Sequence, residues 1–201
     1  MERVNDLIDV TRKDLKVVDQ KGKGAAIQDI SEHFCCNEQE VYNLILKGLT
    51  QRKVCGTAMN DYSSRSHALF TLKLKVTNHS TGKIRRSKLH LVDLGGSESA
   101  GKTGCDAQRL QEAKSLNQSL STLSRCIVAL TSNNVNHIPY RESKLTKILK
   151  ESFGGNSKTC IIVTVSPHPM HGMETLNTLK YGARAQKISN KVQKNENMTK
   201  E

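Results

Sequence analysis

The sequence LHLVDLGGSESAGKT, at residues 89–103, contains two overlapping patterns that are each associated with phosphate binding. The first is D-x-x-G, from Asp93 to Gly96, at the end of a short apolar run that predicts a buried strand. The second is G-x-x-x-x-G-K-[ST], the P-loop pattern, from Gly96 to Thr103. One segment cannot serve a nucleotide in both ways, so the predicted function depends on which pattern binds phosphate.

Three physical points argue against the P-loop interpretation. Glu98 would lie inside the phosphate cradle, and two unit charges about 4 Å apart interact by about 4 kcal/mol at an effective dielectric constant of about 20. A P-loop helix should begin at Lys102 so that its dipole faces the phosphate, whereas Asp106 is the natural N-cap here. Asp93 occupies a strand-end position suited to Mg²⁺, which requires a separate P-loop opposite it. A small P-loop NTPase that uses residues 96–103 stays open as an alternative.

The flanking sequence predicts a hairpin that ends at Asp93. Residues 68–76 alternate apolar and polar side chains, which is typical of a half-buried strand. A turn at 78–82 connects it to a second strand that ends at residues 89–94. After this hairpin, residues 107–131 carry an apolar stripe at helical spacing and predict the longest helix of the chain.

Shorter patterns complete an α/β layered domain, because the predicted strands alternate with long helices. Asn37 and Glu40 resemble a capping box at the start of a helix. The apolar run CIIVTV at 160–165 predicts a strand covered on both faces. The remaining predictions are a helical turn in residues 1–8, a short strand at 14–19, a basic helix through residue 152, a last helix at 174–188 and a mobile polar tail from residue 189.

The composition limits the class of protein and of partner. A chain of 201 residues with 36% hydrophobic residues can build one domain with a core, and 3% aromatic residues make that core aliphatic. The formal net charge of +12 favours an acidic partner, which can be nucleic acid, an anionic membrane or an acidic protein polymer. The 6 Cys residues lack metal-site spacing and predict reduced thiols in an intracellular protein. The sequence contains no apolar run near the roughly 20 residues that a membrane span needs.

A second loop fits a phosphate site. Residues 60–67 read NDYSSRSH, directly before the first hairpin strand. Hydroxyl groups can hold a metal-bound water, and an arginine can pair with a carboxylate or stabilise transferred charge. The loop alone is a weak signal, because many surface loops are rich in serine.

Four segments in this order resemble the kinesin motor domain: NDYSSRSH, LVDLGGSE, HIPYRESKLTKILKESFGGNSKT and ETLNTLKYGARAQKI. In that family NxxSSRSH is switch I and DLAGSE is switch II, with Ala where this chain has Gly95. The resemblance implies an α/β fold, namely an incomplete kinesin-type P-loop NTPase motor fold with a central mixed β-sheet flanked by helices. It assigns residues 1–190 to a partial motor domain and 191–201 to a neck-linker-like or disordered tail.

The resemblance also implies roles on the nucleotide side, with ATP and Mg²⁺ as ligands. Ser64 is expected to hold Mg²⁺ directly and Asp93 to hold it through water. The N–H of Gly96 is expected to sense the γ-phosphate. Arg65 and Glu98 are expected to form an ion pair that latches the two switches and helps to place the attacking water. The γ-phosphate loop also includes Asn60 and Ser63.

On the track side, the resemblance implies that the helix at 107–131 is the relay helix that lies along the microtubule. Tubulin then supplies the acidic polymer that the net charge favours. A membrane partner is not expected, nucleic acid is disfavoured because stacking aromatics are scarce, and any dimer would form through regions outside this chain. The expected location is the cytoplasm, on microtubules of the cytoskeleton. The expected microtubule-binding residues are Lys102, Lys114, Arg141, Lys144 and Lys147.

One family feature is missing from the sequence given. The family P-loop lies upstream of switch I, and no such sequence precedes Asn60. The family would make the chain an ATP-hydrolysing enzyme, but these residues alone are expected not to hydrolyse ATP. Because the family's P-loop strand lies between the switch II strand and 160–165, we expect a gapped sheet and marginal stability. A nucleotide-independent microtubule-binding module is the other alternative.

Overall fold

The structure, a computed structural model, describes residues 2–20, 24–54, 66–96, 107–132 and 137–198. Helices and strands are mixed along the chain, which agrees with the predicted α/β class. Short 3₁₀ turns at Tyr140–Glu142, Lys150–Ser152 and Pro169–His171 connect the later helices. In chain order the elements are β1 (Val17–Gln20), β2 (Gly24–Ile27), α1 (Glu38–Val54), β3 (Ala68–Asn78), β4 (Lys83–Asp93), α2 (Ala107–Thr131), α3 (Lys144–Ile148), α4 (Gly172–Ala185) and β5 (Glu196–Met198).

The predicted hairpin is confirmed as the antiparallel pair β3 and β4. Its register runs from Ala68 opposite Asp93 to Asn78 opposite Lys83. The Asn78 side chain closes the turn by accepting hydrogen bonds from the backbone N–H groups of residues 80 and 81, at 3.0 and 3.1 Å. Asp93 therefore lies at the open end of the hairpin, beside the start of β3.

The core is built by helices. Leu123 and Ile127 of α2 pack with Leu145 of α3, Phe153 and Ala185 of α4 in one buried cluster. The buried α2 residues belong to the predicted apolar stripe, and the observed helix has the predicted bounds. The predicted N-cap, Asp106, lies outside the described residues.

The predicted capping pair at the start of α1 is also confirmed. The side chain of Asn37 accepts a hydrogen bond from the N–H of Glu40 at 2.9 Å. The carboxylate of Glu40 reaches back to the N–H of Cys36 at 2.8 Å. These bonds satisfy backbone groups that the first turn of a helix leaves unpaired.

The prediction of a doubly covered strand at residues 160–165 is wrong. The segment has no regular secondary structure, and Ile162 is 86% exposed. A strand needs a neighbour to pair its backbone groups, and none of the described strands pairs with this segment. For the same reason, the parallel pairs of a mixed sheet do not occur among the described strands, which form a β1–β2 sheet and a β3–β4–β5 sheet of antiparallel pairs.

The predicted basic helix is broken at Ser143. The Ser143 side chain accepts a hydrogen bond from the N–H of Thr146 at the start of α3, so a new helix begins there. After α3 the chain continues as a 3₁₀ turn through Ser152, and Gly154 follows with a φ of +85°. A left-handed φ favours glycine, so Gly154 suits the turn that follows this helical segment.

Both ends of the chain differ from the predictions. Residues 2–8 form no helical turn, because the Asp6 carboxylate instead accepts hydrogen bonds from the N–H groups of Ile8 and Ser31 at 2.8 and 2.7 Å. The tail is not free as far as Met198, because β5 pairs with β4 and the N–H of Arg86 donates to the carbonyl of Asn195 at 3.1 Å. The predicted last helix ends at Ala185 rather than at residue 188.

None of the helices in the described residues has the length and apolar character needed to cross a bilayer.

Candidate functional site

The strand-end acid, Asp93, is held by an arginine from α1. Arg52 Nη1 lies 2.6 Å from Asp93 Oδ2, and Nη2 of the same guanidinium donates to the carbonyl oxygen of Ser66 at 2.7 Å. The arginine side chain is 5% exposed, whereas the aspartate side chain is 71% exposed. Arg52 therefore fixes one carboxylate oxygen of Asp93, while most of the Asp93 side chain stays open to solvent.

This position fits a water-mediated contact with Mg²⁺ better than a direct one. Mg²⁺ prefers oxygen ligands and keeps several waters when one or two carboxylates bind it. Within the described ranges, no group of three or more His, Cys, Asp or Glu side chains could hold a metal. A guanidinium 2.6 Å from Oδ2 also competes with a cation for that oxygen. Asp93 can contribute one outer contact, and the expected direct ligand, Ser64, lies outside the described residues.

His67 connects the start of β3, the end of β4 and helix α2. The backbone N–H of Gly95 donates to His67 Nδ1 at 3.0 Å. On the other side of the ring, His67 Nε2 lies 2.7 Å from the hydroxyl of Ser119, which donates its own proton to the carbonyl of Leu116 at 2.6 Å. Ser119 is 1% exposed, so this chain of bonds ends inside the helical layer.

The His67 ring is neutral in this arrangement. Burial is the main cause that lowers its pKa, the Arg52 charge lowers it further, and the Glu2 and Asp93 carboxylates act in the opposite direction. Nδ1 must be unprotonated to accept from Gly95, so Nε2 carries the proton. The neighbours thus select one tautomer of the ring.

The structure describes only part of the predicted nucleotide-side set. Asp93 and Gly96 lie together at the end of β4, next to the Gly95 N–H that His67 accepts. The other members lie outside the described residues, so their roles stay predictions: Asn60, Ser63, Ser64, Arg65 and Glu98.

The predicted microtubule-binding cations differ in how available their charges are. Arg141 is 84% exposed, with Asp19 only at 4.0 Å, and Lys114 is exposed on α2. Lys144 contacts Asp14 at 3.2 Å, while Lys147 is 22% exposed and donates to the carbonyl of Val17 at 2.8 Å. Lys102 lies outside the described residues. All five stay predictions, and the geometry favours Arg141 and Lys114.

Sequence reasoning missed Arg52, His67 and Ser119 as parts of this site. Arg52 lies in the last turn of α1 and no local motif marks it. His67 is the last residue of the NDYSSRSH segment, but neither the motif nor the family resemblance assigns it a role. A buried serine on the apolar side of α2 was the one available signal, since a polar group on a core stripe requires a hydrogen-bond partner.

This site lies in the wall of an open cleft of about 3760 Å³, whose lining includes Arg52, His67 and Asp93. Its walls include Leu89 and Leu91 of β4 as well as Ile161 and Val163 of the irregular segment. Several of these side chains are exposed, so the cleft presents apolar surface beside β4, whose second edge pairs with a described strand only at residues 83–85.

These contacts define an α/β domain in which the end of β4 is connected to two helices. Asp93 pairs with an arginine of α1, and Gly95 is connected through His67 to Ser119 of α2. The chain belongs to the kinesin family: the family model described as kinesin motor domain matches residues 1–188. Proteins of this family are ATP-driven microtubule motors, which agrees with the resemblance that the motifs carry.

Known relatives support the same assignment. Kinesin-related protein 3 of Dictyostelium discoideum is 45% identical over 196 residues, which cover 98% of this chain and 16% of that protein. Kinesin-like protein 3 of Schizosaccharomyces pombe is 45% identical over 192 residues, covering 96% of this chain and 35% of that protein. The chain therefore spans a minor part of these relatives.

Solved structures agree in fold. The structure of a fast kinesin superposes with a TM-score of 0.88 at 43% identity, covering 98% of this chain and 56% of that one. A KIF14 dimer in the two-heads-bound state, with AMP-PNP and in complex with a microtubule, gives a TM-score of 0.86 at 36% identity, covering 95% of this chain and 56% of that one. The predicted motor fold is thereby confirmed.

Proposed function

We propose that this chain forms the switch and track-binding part of an ATP-driven microtubule motor. The observation that carries the proposal is the match of the kinesin motor domain model to residues 1–188. In this proposal α2 lies along the microtubule, and Lys114 and Arg141 contact the acidic tubulin surface. The bound KIF14 dimer supports this partner, because that related motor is in complex with a microtubule.

On the nucleotide side, each described residue has a positioning role. Arg52 holds Asp93 at the mouth of the site, and Gly96 offers backbone that no Cβ shields from a ligand. Mg²⁺-ATP, when bound, supplies the phosphoryl group and the charge to which the switches respond. His67 keeps the Gly95 backbone in register with α2.

We further propose that these 201 residues, tested alone, do not hydrolyse ATP. Catalysis of phosphoryl transfer rests on positioning and on charge stabilisation by backbone N–H groups, a lysine and a hydroxyl that binds the metal. The sequence before Asn60 offers no P-loop of the family type. The exposed residue Ile162 and the open cleft beside β4 support this reading, because both are consistent with a missing neighbour in the sheet.

The test of track binding is co-sedimentation of the purified chain with microtubules at low and high salt. We expect binding that weakens with salt, because exposed charges are screened. Arg141→Ala and Lys114→Ala should each weaken it about 2- to 5-fold, the range for one exposed charge contact. Lys88→Ala removes an exposed cation from the hairpin and should leave binding unchanged. Equal loss in all three variants would indicate non-specific attraction.

The nucleotide side is tested by calorimetry with Mg²⁺-ATP and by phosphate release with and without microtubules. No detectable binding and no turnover would support the proposal. Microtubule binding that ignores added nucleotide would favour the nucleotide-independent module. Micromolar ATP binding that Lys102→Ala abolishes would instead establish residues 96–103 as a working P-loop.

A further inference from the structure

A continuous chain of hydrogen bonds runs from the end of β4 into α2 through one histidine. Gly95 donates to His67 Nδ1 at 3.0 Å, His67 Nε2 donates to Ser119 at 2.7 Å, and Ser119 donates to the Leu116 carbonyl at 2.6 Å. All three bonds run in one direction, and each donor has one acceptor. Reversing the ring tautomer would break the bond at Gly95, since Nδ1–H cannot accept.

The two ends of this series of hydrogen bonds lie on elements with different proposed functions. Gly95 precedes Gly96, whose N–H is expected to sense phosphate, whereas Ser119 lies on the inner side of α2, the helix proposed to contact the track. Neither β3 nor β4 contributes to the buried helical cluster around Leu123 and Ile127. Among the described residues, the hydrogen-bonded ring is therefore a specific connection between hairpin and helix that lies outside this apolar cluster.

We propose that His67 is a positioning residue that couples the Gly95–Gly96 backbone to helix α2 by means of its Nε2–H tautomer. The assignment of one end to phosphate and of the other to the microtubule rests on the proposed function. The coupling itself is a property of the protein without ligands. A shift of α2 moves Ser119, which reorients the ring and changes the acceptor offered to Gly95. The same connection transmits a shift of the Gly95–Gly96 backbone to α2.

The first test measures hydrogen exchange of the Gly95 amide by NMR in the free chain. Ser119→Ala does not touch Gly95, yet it should accelerate exchange of that amide about 5-fold, because the ring loses the acceptor that fixes its tautomer. Ser121→Ala, an exposed serine on the same helix, is the matched control and should have no effect. Unchanged exchange in Ser119→Ala would overturn the proposal and leave His67 as a local cap.

A conservative variant separates coupling from local capping. In His67→Asn the side-chain oxygen can still accept from Gly95 but cannot reach Ser119. We expect Gly95 to keep its protection in this variant, and Ser119→Ala added to it to have no further effect. A full Ser119→Ala effect in the His67→Asn background would contradict transmission through the ring.

Nitrogen chemical shifts of the ring give an independent signature. Wild-type His67 should show a protonated Nε2 and an unprotonated Nδ1, and Ser119→Ala should shift the ring towards a mixture of tautomers. A wild-type ring in the Nδ1–H form would overturn the proposal.

Microtubules provide the functional arm. If the chain binds them, binding should change Gly95 exchange in the wild type and not in Ser119→Ala. Failure to co-sediment would overturn the proposed function while the free-chain results still decide the coupling. Binding with the same Gly95 response in both proteins would overturn the coupling alone.

Discussion

At the residue scale, burial distinguishes the ion pair at Asp93 from those on the surface. The side chain of Arg52 is 5% exposed, whereas the side chains of the Arg12–Asp9 pair are 44% and 34% exposed. An exposed pair gains little because water screens it and two side chains must be ordered. A buried charge must be compensated where it lies, so Arg52 depends more strongly on its partners.

A double-mutant cycle on Arg52→Met and Asp93→Asn should therefore give a coupling free energy of about 0.5 to 2 kcal/mol. That range lies between exposed and buried pairs, because the Asp93 end is open to solvent. The measurement is urea unfolding of the four proteins.

The matched control is the same cycle on Arg12→Met and Asp9→Asn. Those residues are paired at 2.8 Å with side chains 44% and 34% exposed, so neither charge is buried, and we expect about 0.5 kcal/mol or less. Equal coupling in the two cycles would mean that burial of Arg52 adds nothing to the interaction.

At the scale of elements, the sequence predicted those whose signal is local. The apolar stripe of residues 107–131 and the alternation at 68–76 correctly predicted a helix and a strand, α2 and β3. The stripe also marks the buried face of α2, whereas Leu74 and Val76 of β3 are 44% and 57% exposed, so the half-buried face predicted for this strand is not observed in its second half. The strand prediction for residues 160–165 was wrong because an apolar run does not specify the strand with which it would pair. The roles of Arg52 and Ser119 could not be predicted because their hydrogen-bond partners, Ser66 and His67, are 14 and 52 residues away along the chain.

Strand β5 lies in the segment that the sequence predicts to be a mobile tail. It is held on β4 by ion pairs as well as by backbone hydrogen bonds. Arg85 NH2 lies 2.6 Å from Glu196, and Lys83 lies 3.8 Å from it. The hydrogen bond from Arg85 is the main cause that lowers the pKa of the Glu196 carboxyl below its ordinary value of 4.5. A lowered pKa in the folded state means that the charged form favours β5 pairing.

We therefore expect β5 pairing to be fully supported by this charge above pH 4.5 and to weaken as the pH falls through the lowered pKa of Glu196. The measurement is NMR exchange of the Arg86 amide, which donates to Asn195. Glu196→Gln should show faster exchange at neutral pH and lose the acid dependence. Retention of the acid dependence in Glu196→Gln would assign it to another group.

At the scale of the whole molecule, the apolar surface is distributed unevenly. The buried cluster lies among α2, α3 and α4, whereas Leu89, Leu91 and Ile162 are exposed around the cleft. Exposed apolar surface next to an unpaired strand edge promotes association between chains. Because the helical core does not include the hairpin, the two parts need not unfold together.

Two isoleucines with opposite environments test this picture. Ile162 is 86% exposed, so Ile162→Lys should reduce light scattering on concentration and change the melting temperature of the helices by little. Ile127 is 1% exposed in the core, so Ile127→Lys buries an unpaired charge and should prevent folding of the helical layer, as circular dichroism would report. The contrast matters because both substitutions add the same charge. If Ile162→Lys instead destabilised the helices as strongly as Ile127→Lys, residues 160–165 would be packed in solution. The cleft beside β4 would then be closed.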